Sequence, residues 1–449
     1  MRIRLLGVVA LGLLIVSCVA ILPLFSERSG MRLVRNTPVP GIGSNIVFNP
    51  RFAEVFATTA NGVAVIDAAT GDLTRVSLSH SADLLAIDSR TGAVFAASGS
   101  GLLSVLRGSD ALPSQTADIG VGAFAIAVDE RRGHLFVATL APPPRRAPRP
   151  APCSFGCVSM LDATTGRLRT TATLGVPAAS AAHALAIGSN HVLTGPGAAA
   201  LDAQAGRLLI VDRLMDGNQS ADSVSAFSTA TGAYLRTFRV GASPYAIAVD
   251  DRQHRAFGTS GSGFYGIDLR PSSPRLLRYP AQAVPTLPAG FLIAADARDH
   301  RVFILQPSGS IAILDSTTGR SVASIRAADP TLAVSAMAVD ERAQQLFVLS
   351  RGDSAQGRSG SLADLDARTG TLRDTVAVGG QPTALALGND GHIFVLNQPV
   401  PTTTTIQQHP SPRTDPFWRR VLDRLPWIHH PKATIFDPIG SVSTVEYSR

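Results

Sequence analysis

Apolar and polar positions alternate along most of this chain in short runs separated by turn residues, the period-two signature of half-buried strands. The stretch 221–257, ADSVSAFSTATGAYLRTFRVGASPYAIAVDDRQHRAF, shows the unit. Its alternation predicts a strand, a turn at Thr231-Gly232, a second strand over YLRTFRV and a Gly/Pro loop. An Ala-rich strand ending at Asp250, a charged turn and a strand opening on Phe257 follow. This is the outer half of one four-stranded sheet followed by the inner half of the next.

The inner half recurs at Ile46 to Phe56, Leu84 to Phe95, Ala125 to Phe136, Ala246 to Phe257, Ile293 to Phe303, Ala336 to Phe347 and Ala384 to Phe394. A weaker copy runs from Ala199 to Leu209. Successive acids Asp88, Asp129, Asp202, Asp250, Asp296 and Asp340 are 41, 73, 48, 46 and 44 residues apart, near the length of a propeller blade in all but one case. The Pro/Arg insertion APPPRRAPRPAPC accounts for the long step, with HALAIG at 183–188 a second choice for that inner strand. A separate tally of third strands runs VAVID, LLSVL, VSMLD, SVSAF, FYGID, SIAIL, SLADLD and SVSTVEYS. Both tallies predict a closed all-β propeller of eight four-stranded blades, with seven the alternative.

Packing gives the pattern its logic. Ala at 86, 127, 248, 295, 338 and 386 suits strands crowded around an axis, and the following Phe suits the wider gap between blades. Thr70-Gly71, Thr165-Gly166, Thr231-Gly232, Thr318-Gly319 and Thr369-Gly370 close the outer hairpins. The last blade lacks a fourth strand, and MRLVRNTPV at 31–39 is expected to supply it, joining the two ends of the array. The wheel is then entered from one rim, while the insertions at 141–156, 213–222, 351–358 and 398–439 leave from the other.

Composition changes this picture mainly at the N-terminus. The chain has 449 residues, 45% of them hydrophobic, with 40 Gly and 30 Pro, which fits a turn-rich β protein. Its net charge of +7 is carried by arginine almost throughout, Lys432 being the single lysine. Without basic runs interleaved with aromatics, the sequence does not point to nucleic acid. Arg2 and Arg4 precede 21 uncharged residues, Leu5 to Phe25, long enough to cross a bilayer as a helix. Residues 1–30 are therefore expected to be a membrane anchor or signal segment with a short linker, and residues 31–449 the propeller outside the cytoplasm. Ile15-Val16-Ser17-Cys18 also resembles a lipobox, which would make Cys18 a lipidated N-terminus. Cys153 and Cys157, in C-S-F-G-C, are expected to form a local disulfide in an oxidising compartment, since two thiols without a nearby His make a poor zinc site.

Candidate chemistry is sparse. The recurring acids read as turn residues that accept backbone N–H bonds, and His134, His254, His300 and His392 as solvated members of the same turns, spread around a circle. No catalytic constellation, metal set or cofactor site is expected. The insertion 398–439 is the most distinctive segment. Asp415 and Pro416 suit a helix start, and Trp418, Val421, Leu422 and Leu425 fall on one stripe before Pro426. Such a helix either packs back on the propeller or docks a partner through Phe417, Trp418, Val421, Leu422, Leu425 and Trp427.

The pieces SVSAFSTATG, TFRVGASPYAIAVD, VAVGGQPTALALGNDGHIFVLN and VSMLDATTG resemble YVTN-type bacterial β-propeller repeats, over about residues 31–397 and the final strand. The resemblance implies the propeller fold and a place in the bacterial cell envelope. It leaves function open, since that family includes binding, surface-layer and enzymatic members. The D-x-x-T-G turns also resemble those of quinoprotein dehydrogenases, but the blade-locking Trp of that pattern is Arg75, Thr170, Ala323 and Asp374 here. The expected function is a membrane-tethered, non-enzymatic module binding a protein or small molecule. The competing class is a lactonase-like hydrolase, which would need acids, Arg and His converging at one channel mouth.

Overall fold

The computed structural model describes residues 30–447 apart from 108–111, 141–155, 175–198, 213–214, 217–218, 221–222, 242–245, 261–262, 271, 278, 280–291, 307–308, 327–332, 354–357, 400, 404–433 and 437–438. The eight expected sheets are present, each of four antiparallel strands. Their inner strands are Ile42–Asn49 in blade 1, Leu84–Asp88 in blade 2, Ala123–Asp129 in blade 3 and Ala199–Asp202 in blade 4. Ala246–Asp250, Ile293–Asp296, Val334–Asp340 and Gln381–Leu387 serve blades 5 to 8. Neighbouring inner strands approach one another all the way round, including blade 8 against blade 1, so the array closes into a wheel.

Closure follows the expected route. Arg32–Pro40 lies antiparallel to Ile439–Glu446, with Thr37 opposite Val442 and Val39 opposite Gly440. This N-terminal strand is the fourth strand of blade 8, in the order closing strand, Ile439–Glu446, His392–Gln398, Gln381–Leu387. Every strand of the eight sheets lies within residues 32–446.

Eight apolar clusters form the core among the described residues, one at each seam between neighbouring blades. The second-strand rings Phe56, Phe95, Phe136, Phe257, Phe303, Phe347 and Phe394 are fully buried in those seams; blade 4 has Leu209 at this place. The small inner-strand residues Ala86, Ala127, Ala248, Ala295, Ala338 and Ala386 are half-buried, as expected where eight strands converge on a channel.

Two expectations are refined. The long step from Asp129 to Asp202 has a second source besides the Pro/Arg insertion. The fourth strand of blade 3 ends at Thr173 and the inner strand of blade 4 begins only at Ala199, so the crossover itself is long. That inner strand is Ala199–Asp202, paired with Arg207–Asp212, and HALAIG lies outside the described residues. The expected transmembrane helix, with Cys18, also lies outside them; no helix among the described residues is long and apolar enough to cross a membrane.

Each inner strand runs from the rim carrying the blade-to-blade connections, here the entry rim, to the rim of the first hairpin turns, here the turn rim. The segments 141–156, 213–222, 351–358 and 398–439 all join second to third strands and so emerge at the entry rim. Two of them begin as short ribbons, Met215–Asp216 with Gln219–Ser220 and Pro401–Thr403 with Thr434–Phe436.

Candidate functional site

On the turn rim, the expected turn chemistry is present with an addition. One carboxylate oxygen of each acid accepts backbone N–H bonds from its own turn: Asp88 from Arg90 and Thr91, Asp250 from Gln253, Asp340 from Arg342 and Ala343. The other oxygen often reaches a neighbouring blade. Asp202 Oδ2 accepts from His254 Nδ1 at 2.8 Å, Asp250 Oδ2 from His300 Nδ1 at 3.2 Å and Ser316 Oγ at 2.9 Å, and Asp340 Oδ2 from the Tyr447 hydroxyl at 2.5 Å. His134 is buried and its Nδ1 donates to Thr229 O of the next blade at 2.7 Å. These histidines tie neighbouring blades, which the sequence did not foretell; His134 is buried, whereas His254 and His300 stay partly exposed in their turns, as expected. His392 alone stays within its own turn, on Asp390 at 2.8 Å.

Asp296 breaks the series. It is fully buried, and its Oδ2 has no partner among the described residues. The equivalent of His254 and His300 in the following blade is Gln344, whose amide turns instead to Asp299 Oδ2. Burial raises the Asp296 carboxyl, and burial likewise raises nearby Glu341, which accepts from Ala297 N at 3.0 Å.

A cluster that the sequence reading missed lies at the seam of blades 1 and 2. His80 Nδ1 donates to Ser81 O at 2.6 Å, which leaves Nε2 to accept from Ser104 Oγ at 2.8 Å. The same hydrogen-bond order activates a nucleophilic serine in hydrolases. Here Ser104 is 1% exposed on a third strand and His80 is buried, so no substrate reaches the hydroxyl and the pair pins the crossover to blade 2. No local motif marks it, because the two residues meet only through strand pairing.

The central channel holds a cavity of about 310 Å³, hereafter the channel mouth, lined by Ile46, Leu84, Leu85, Ile126, Ala199, Leu385 and Asn45 among others, all from the start or middle of the inner strands of blades 8 and 1 to 4. All its lining residues but Asn45 are aliphatic. A raised carboxyl lies away from it, at the seam of blades 7 and 8, where burial pushes Asp364 up to about 6. Among the described residues no three His, Cys, Asp or Glu side chains group as metal ligands.

The remaining residues singled out from sequence divide plainly. Cys157 is fully buried at the start of a third strand and is disulfide-bonded, while Cys153 lies outside the described residues. Phe417, Trp418, Val421, Leu422, Leu425 and Trp427 also lie outside them, between Thr403 and Thr434, which pair with each other at the entry rim.

The fold and its rims define the class, a closed eight-bladed β-propeller. Similar solved structures include Sqt1 of Saccharomyces cerevisiae, 13% identical with a TM-score of 0.57 over 82% of this chain and 96% of that one. BamB of Moraxella catarrhalis is 16% identical with a TM-score of 0.56 over 81% and 96%. NirN, a dihydro-heme d1 dehydrogenase in complex with DHE, is 13% identical with a TM-score of 0.53 over 76% and 67%. At such identities the likeness is one of fold alone. No family model matches the chain, and no curated protein sequence does.

Proposed function

We propose that this chain is a binding propeller of YVTN type, held at a bacterial membrane by its N-terminal apolar segment and working outside the cytoplasm through its entry rim. The channel mouth carries this reading: it is aliphatic with one carboxamide, a lining suited to holding a ligand and poor in groups for acid–base work. Topology supports the orientation. The closing strand starts at Arg32 on the turn rim, soon after the apolar run ending at Phe25, so a tether there turns the entry rim away from the bilayer. Partner contacts are assigned to the Trp-bearing insertion, and a Cys153–Cys157 bridge on blade 3 suits an oxidising compartment.

The test uses the paired strands at the base of the insertion. Because Thr403 lies opposite Thr434, residues 404–433 can be replaced by an Asn-Gly turn without touching a strand of blade 8. Affinity capture from envelope extracts with residues 31–449, with and without that replacement, is expected to lose a defined partner set. Identical captured sets would remove the docking role, and recovery of the full chain in the soluble fraction of its host would remove the tether.

A further inference from the structure

The channel mouth differs from an ordinary propeller seam in one residue. Four positions before the residue that opens the first hairpin turn (Asp88, Asp129, Asp250, Asp296, Asp340 and Gly388) stand Leu84, Ala125, Ala246, Leu292, Ala336 and Ala384 in blades 2, 3 and 5 to 8, all apolar. Blade 1 has Asn45 there. The register of its inner strand shifts between Ile42 and Ile46, a bulge that re-aims the chain next to the cavity. The Asn45 backbone is satisfied inside the blade: its N–H donates to Thr58 Oγ1 at 3.0 Å, and its carbonyl accepts from the same hydroxyl at 3.3 Å. Its side-chain carboxamide has no hydrogen-bond partner among the described residues, although Asn45 is only 9% exposed and lines the mouth. Facing the cavity, the carboxamide offers both a donor and an acceptor to whatever enters.

We infer that the channel mouth is a site for a small, uncharged, mainly aliphatic molecule whose single hydrogen-bonding head group is taken by the Asn45 carboxamide. Three observations set that chemistry. The cavity of about 310 Å³ holds roughly ten heavy atoms at about 30 Å³ each, the size of a medium-chain alcohol. Its aliphatic lining favours a hydrocarbon body, and the lack of an ionisable group in it makes a charged ligand unfavourable. One carboxamide gives one polar anchor. The inference rests on the entry rim as the working face, but it stands apart from the insertion 404–433 and from the tether.

The probe is 1-octanol, titrated calorimetrically into residues 31–449, which hold every strand of the wheel. Saturable 1:1 uptake is expected with a dissociation constant of about 1 mM, as suits a ligand of this size. Octanoate, with the same chain and a charged head, is expected to bind about tenfold more weakly or not at all. Asn45→Ala should weaken octanol about fivefold, and Ala384→Leu, which fills the mouth, about tenfold or more, with both variants checked for wild-type melting. Lack of saturation with the unaltered protein, or equal binding of octanoate, overturns the site without relying on any variant. Unchanged octanol binding in folded Ala384→Leu does so as well. Partner capture through the insertion is measured separately, so loss of one leaves the other standing.

Discussion

Asp364 sits on the third strand of blade 7, directly opposite Asp374 and 4% exposed. Strand alternation puts it on the same face as Leu362, toward the seam with blade 8. Gln345 Nε2 donates to its Oδ2 at 2.8 Å, while its Oδ1 has no partner among the described residues. Burial, only partly offset by Arg373 and Gln345, pushes its carboxyl up to about 6 from the ordinary 3.8. A folded-state value above the unfolded one means that the native state holds the proton more tightly. The destabilisation is therefore absent below about pH 4, grows as pH rises through 6 and is complete at neutrality, where it amounts to at most about 3 kcal/mol. Asp364→Asn is expected to raise stability by about 1–3 kcal/mol at pH 7.5 and to leave it unchanged near pH 4. Urea unfolding at both pH values checks this, and coincident midpoints at pH 7.5 would contradict it. From sequence, SLADLD reads correctly as a third strand, but which neighbour Asp364 faces depends on register across the seam.

At the scale of the element, the two hairpin types differ in how far the sequence foretells them. The D-x-x-T-G turns are local. Asp67, Asp162, Asp315 and Asp366 each accept the N–H groups of the residues two and three further on, and Gly at positive φ completes the turn. The Arg169 guanidinium, helped by these backbone bonds, holds Asp162 at about 2, so this contribution is present above about pH 4 and lost as pH falls toward 2. The first hairpin turns are local in shape and not in bonding. Four residues after the acid, the chain takes positive φ, with His254 and His300 at 53° and 54° and Gln344 also at 54°. The two histidines reach back to the preceding blade's acid, and Gln344 does not. Gln344→His should give Asp296 the donor it lacks and stabilise the protein by about 1 kcal/mol, seen as a higher unfolding midpoint. An unchanged or lower midpoint would show that the Asp296 oxygen is already satisfied.

At the scale of the molecule, the closing strand decides whether the wheel is one cooperative body. Val39 is fully buried in the seam cluster shared by blades 8 and 1, and Arg32 pairs with Glu446 at 2.8 Å near the other end of the strand. Met31 N donates to Asp374 Oδ2 at 2.5 Å, tying the same segment to blade 7. Deleting residues 31–40 removes these ties and bares the edge of Ile439–Glu446. The deleted protein is expected to melt about 10 °C or more lower and to self-associate, as read by thermal unfolding and size-exclusion chromatography. A monomer with the wild-type melting temperature would show that closure is dispensable.

The sequence by itself determined the blade repeat, the D-x-x-T-G turns and the pairing of the chain's two ends, and favoured eight blades over seven. Each of these is written in short-range alternation, in turn residues or in a repeat compared with itself, and needs no knowledge of distant contacts. The tertiary structure alone decided which acids find partners, that His80 meets Ser104, and that Asn45 lines the channel mouth with its carboxamide unpaired. Those facts depend on how one sheet's register meets the next across a seam or around an axis. The residues that meet there lie as little as 24 or as much as 107 positions apart, and strand geometry, not local propensity, brings them together.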